Sequence, residues 1–118
     1  MAEALTYTRL STKPSGQEGK IMIRHVVMLK FKPEVSQEQQ VELAKMSVGA
    51  LGQIPGVKNI IAGQALDMEG KSSFDGALFV DFADEDSFKA YLEHPVHKVA
   101  ETQLPAMCSD IKVMNFLY

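Results

Sequence analysis

The stretch "MIRHVVMLKFK", residues 22–32, decides the fold. Read as an extended strand, its alternate side chains fall on two faces. One face carries Ile23, His25, Val27, Leu29 and Phe31; the other carries Met22, Arg24, Val26, Met28 and Lys30. Both are apolar near the middle. A strand with helices on one side and water on the other alternates apolar with polar residues, so this one expects cover on both sides. "ALFVDF" at 77–82 has the same property, with Leu78, Val80 and Phe82 against Ala77 and Phe79.

The remaining elements follow outward from these two. Pro33 ends the first strand, and Ser36 with Gln39 spells a capping box for a helix over 37–52. Val41, Ala44, Val48 and Leu51 form its apolar stripe, and Gly52 to Gly56 with Pro55 closes it. "VKNIIAGQAL" (57–66) is a second strand and "DMEGKSSFDG" (67–76) a polar turn. "ADEDSF" opens a helix whose acidic residues Asp84, Glu85 and Asp86 suit its positive end, with Phe88, Tyr91 and Leu92 turned inward. A further short helix starts at Pro95, and "DIKVMNFLY" (110–118) is the closing strand.

The order βαββαβ predicts an α+β, ferredoxin-like protomer with an antiparallel four-stranded sheet, its first and third strands central. Helices on one face leave Met22, Val26 and Met28 bare. A second copy of the chain is the expected cover, giving a homodimer with sheets face to face, or nearly so. The alternative is a monomer whose patch is held down by its own N-terminal residues.

Residues 1–21, with "STKPSGQEGK" inside them, read as a flexible extension; residues 22–118 read as one domain. A net charge of −3 argues against a general nucleic-acid binder. No apolar run approaches the roughly 18 residues of a membrane span. Cys108, the only cysteine, excludes an internal disulfide and a cysteine-based zinc site, and points to a reducing, cytoplasmic compartment. It reads as a buried thiol rather than a nucleophile.

Three histidines remain. His25 sits in the apolar row of the first strand. His94 and His97 stand in "HPVH" (94–97), where Pro95 fits a helix start. His94 reads as a joint, closing one helix and capping the next, with a cation suited to the first helix's C-terminal end. His97 has no capping duty; turned to the sheet, it meets His25 across a small apolar space, with Tyr91 nearby. Two imidazoles there suit general acid–base work. No third ligand besides Glu93 accompanies the HPVH pair, so neither a metal nor a cofactor is expected. Nucleotide and nucleophile-elbow motifs are absent.

"MIRHVVMLKFKPEVSQEQ", "LGQIPGVKNIIAGQ", "ALFVDFADEDSFKAYLEHPVHKVA" and the final "VMNF" together resemble the stress-responsive dimeric α/β-barrel (Dabb) family over about 22–117. The resemblance implies a homodimeric barrel, including stable plant oligomers. One branch holds polyketide cyclases that close a poly-β-keto chain by aldol condensation without cofactor or metal. The cyclase pattern implies His25 and His97 as the core pair with Tyr91 beside them; Gly76 and Ser47 depart from it. Two readings follow. In one, a small homodimer binds an apolar or aromatic molecule in a pocket of Val27, Leu29, Val48, Leu78 and Val80, with the histidines and Tyr91 at its side. In the other, His97 removes a proton alpha to a carbonyl while His25 hydrogen-bonds the enolate and Tyr91 orients the substrate.

Overall fold

The computed structural model describes residues 21–66 and 73–118. The extension expected at 1–21 lies outside these save for Ile21, as does most of the polar turn. The elements are β1 (Ile23–Phe31), α1 (Gln37–Leu51), β2 (Val57–Gln64), β3 (Gly76–Phe82), α2 (Glu85–Glu93), α3 (Pro95–Met107) and β4 (Cys108–Leu117). The strands form one antiparallel sheet in the order β2-β3-β1-β4, with β1 and β3 central.

Local chemistry accounts for the boundaries. Ser36 Oγ accepts from Gln39 N–H at 3.1 Å, and Gln39 Oε1 accepts from Ser36 N–H at 2.8 Å, so the capping box of α1 is complete. Asp84 caps α2, accepting from Ser87 N–H at 2.8 Å. The last strand starts at Cys108, two residues before its expected beginning, and follows α3 with no loop between them. A bulge at Lys30/Phe31 lets Phe31 pair with Cys108 and so takes up the offset. Gly56 has a φ of 95°, the left-handed region, in the turn between α1 and β2.

The helix-side face of the sheet carries the core. Ile23, Val27, Leu29, Phe31, Leu78, Val80 and Phe82 are buried with Leu51, Ile54 and Tyr91 from the layer above. The opposite face is the one expected to lack cover. The register aligns Ile61, Phe79, Val26 and Met114 in a row across all four strands. Ile61 is 50% exposed, Met114 63% and Met28 36%.

One charged pair interrupts this face. Arg24 donates from Nε to Asp81 Oδ1 at 2.8 Å and from Nη2 to Oδ2 at 2.9 Å, a bidentate bond between paired positions of the central strands. The guanidinium also lies over the rings of Phe79 (5.2 Å) and Tyr118 (4.9 Å). Burial pushes the Asp81 carboxyl up, but the bonds from Arg24 and Tyr118 and the Arg24 charge outweigh it and hold it below its usual value. The pair is thereby kept ionised in an otherwise apolar surface.

A Cβ on Gly56 would sit 3.0 Å from Ser87 Cβ on an already left-handed backbone. Gly56→Ala should cost about 1–2 kcal/mol, read as a lower urea midpoint with an unchanged slope.

Candidate functional site

The joint between α2 and α3 places the two HPVH histidines differently. His94 ends α2, its N–H donating to Tyr91 O at 3.1 Å, and begins α3, its Nδ1 accepting from Val96 N–H at 3.1 Å. The joint role holds: the ring caps the open N–H of Val96 at the start of α3. Pro95 fixes the first turn and leaves His97 two positions further, against Tyr91 at 4.6 Å between ring centroids.

Tyr91 stands between the other two imidazoles. His25 packs edge-on to it at 6.0 Å and against Phe88 at 5.2 Å. The tyrosine is 1% exposed and also meets Phe82 at 4.9 Å. Burial pushes its phenol up to about 12, so it is a hydrogen-bond donor and not a base at neutral pH.

Each of the two imidazoles has its Nδ1 engaged. His25 Nδ1 meets Asn115 Oδ1 on β4 at 2.6 Å. His97 Nδ1 lies 3.2 Å from Leu92 O and 2.9 Å from Glu101 Oε1. Amide, carbonyl and carboxylate oxygens only accept, so both rings donate from Nδ1; His25, kept neutral by burial, then presents a lone pair at Nε2. A neutral His25 in this tautomer cannot donate to an enolate, which changes the role expected for it. Burial lowers the His25 pKa, the Asn115 bond opposes this, and the His97 charge lowers it further.

The apolar cavity lies elsewhere between sheet and helices, with a volume of about 50 Å³. Val27, Leu29 and Leu78 line it, as expected; Leu43, Leu51 and Leu104 add apolar wall, with Gln40, Ser47, Gln64 and Asp75 the polar members. Val48 and Val80 are not in the lining. The phase of α1 turns Ser47 rather than Val48 to the space, and Val80 is fully buried, 0% exposed. His25, Tyr91 and His97 are also outside the lining.

Asp75 secures one end of the cavity: Oδ2 accepts from Phe31 N–H at 2.8 Å, and its own N–H donates to Leu29 O at 2.8 Å. Burial and the Asp75 charge push the Cys108 thiol up, which keeps it protonated. Among the described residues no group of three or more His, Cys, Asp or Glu is placed to hold a metal ion. Asn115 and Glu101 were not legible as site residues: one reaches His25 across 90 positions of sequence, and the other reads as surface charge on α3.

These features define a ferredoxin-like α+β protein with a buried His25 and a half-buried His97 on either side of Tyr91, and a separate apolar cavity. The chain belongs to the stress responsive A/B barrel domain family, whose pattern matches residues 23–117. A dimeric ferredoxin-like protein of unknown function from Thermobifida fusca YX is 28% identical, with a TM-score of 0.72 over 92% of this chain and 100% of that one. Hydroxynitrile lyase from Passiflora edulis is 25% identical, with a TM-score of 0.68 over 82% and 93%. Olivetolic acid cyclase from Cannabis sativa is 28% identical over 76 residues, 64% of this chain and 75% of its own.

The lowered His25 pKa has a definite sign for stability. The unfolded chain takes up a proton near the ordinary value of 6.5, while the folded chain resists it until lower pH. Stability is therefore full above about pH 6.5 and declines as pH falls through the window down to the folded pKa. His25→Leu should flatten this part of the curve, as measured by melting temperature against pH.

Proposed function

We propose that this protein is a homodimer whose protomers join through the bare sheet face, and that each protomer binds a small molecule with its apolar part in the cavity under α1 and α3. The observation that carries the ligand reading is the cavity itself, walled by Val27, Leu29, Leu51, Leu78 and Leu104 and lipped by Gln40, Ser47 and Gln64. Protein interiors leave few voids larger than a water. A cavity of about 50 Å³ is one third of the roughly 150 Å³ space that takes benzene, so it accepts a short alkyl group. The dimeric relative from Thermobifida fusca supports the assembly. A single buried thiol suits a cytoplasmic home.

A second reading is a cofactor-independent enzyme, favoured by the placement of Tyr91 between His25 and His97. His97 Nε2 takes the proton alpha to a carbonyl, the pair of electrons moves to the carbonyl oxygen, and the resulting imidazolium has Glu101 beside Nδ1. The Tyr91 hydroxyl is the oxyanion donor in this scheme, since neutral His25 has none to give. Likeness to a cyclase and a lyase supports this class of chemistry.

Two measurements separate the readings. Titration with 2-pentanone should shift the methyl resonances of Leu29 and Leu78, and Ala44→Phe, which fills the cavity, should abolish the shifts while leaving the fold intact. Shifts that persist in the filled variant contradict the cavity reading. For the enzyme reading, exchange of the α-protons of 2,4-pentanedione should fall by roughly a hundred- to ten-thousand-fold in His97→Ala with the melting temperature nearly unchanged. A structural His97 would instead cost about 1–3 kcal/mol of stability and leave exchange alone.

A further inference from the structure

The bare sheet face carries a pattern of charge and size as well as apolar surface. Strand pairing sets its side chains in rows that run from β2 through β3 and β1 to β4. One row is Asn59, Asp81, Arg24 and Phe116; the next is Ile61, Phe79, Val26 and Met114. A third is Gly63, Ala77, Met28 and Lys112, small on β2 and β3 and long on β1 and β4. Over its small half lies a hollow of about 490 Å³, walled by Met28, Ile61, Phe74 and Phe79.

Two copies of this sheet meet face to face about a two-fold axis lying between them, and the axis has two simple directions. An axis along the strands, midway between β1 and β3, keeps each row and reverses its order. Arg24 then faces the partner's Asp81, and Val26 faces the partner's Phe79. Gly63 and Ala77 lie under the partner's Lys112 and the partner's Met28, so long side chains enter the hollow. Asn59, opposite the partner's Phe116, keeps its bond to Asp81.

An axis across the strands keeps each strand and reverses the rows. Arg24 and Asp81 then face the partner's Met28 and the partner's Ala77. The Arg24 side chain has 26% of its surface open, and this arrangement takes it from water without an added counter-charge. Gly63 faces the partner's Asn59, a shorter side chain than Lys112 with which to fill the hollow.

We infer, resting on the homodimer proposed above, that the two copies dock about an axis along the strands, with the partner's Met28 and the partner's Lys112 in each hollow and the two Arg24–Asp81 pairs head to tail. The charges also fix the register. Sliding one sheet by one strand sets Arg24 against the partner's Arg24, or Asp81 against the partner's Asp81, and like charges in apposition are repelled.

The test uses the wild-type full-length chain, half of it ¹³C-labelled and half unlabelled, mixed and equilibrated. Isotope-filtered nuclear Overhauser spectra then report contacts between chains alone. Contacts should join Ile61 to the partner's Met114, and Met28 to the partner's Ala77. Contacts between the two Ile61 side chains, or between the two Met114 side chains, overturn the inference, as does a dimer with no contact between these residues. A sedimentation mass of one chain overturns the homodimer itself, so the failure of the orientation alone is recognised by a dimeric mass with the wrong contacts.

Discussion

The constraint on which the rest depends is that β1 and β3 are apolar on both faces. Val27, Leu29, Leu78, Val80 and Phe82 bury one face under the helices, and this alone is enough for a core. The same two strands put Val26, Met28, Ala77 and Phe79 on the other side, continued by Ile61 on β2 and Met114 on β4. Leaving that row in water forgoes roughly 25 cal/mol for each Å² of apolar surface. Arg24 and Asp81 neutralise each other on this face through a bidentate bond, so this charge pair joining the central strands is satisfied within the protomer. Such a surface is prepared for a partner of the same kind, because a self-complementary patch closes under a two-fold axis.

On the helix side, packing decides where chemistry can reside. Tyr91 is buried against His25, His97 and Phe82, and none of the three site residues lines the apolar cavity. The result is two neighbouring features rather than one hollow: an aliphatic space under α1 and α3, and the His25–Tyr91–His97 cluster. The departures at Gly76 and Ser47 both fall on the aliphatic space.

Much of this was legible in the residues. Ser36 and Gln39 spelled the cap of α1, Pro95 marked the start of α3, and alternation in "HVVMLKF" placed His25 on the helix side with Val27 and Leu29. The helix phase at 47–48 was not, because Val48 fits the apolar stripe of α1 and only the crossing of that helix over the sheet turns Ser47 to the cavity. Asn115 was hidden for a different reason. Its partnership with His25 depends on the register of β4 against β1, and "VMN" carries no sign of that register.

Sedimentation equilibrium of the full-length chain at micromolar concentration tests the central constraint most directly. The two-faced sheet predicts a mass twice that of one chain, lost when Phe79 and Val26 are both replaced by glutamate. A wild-type mass of one chain over that concentration range would contradict it.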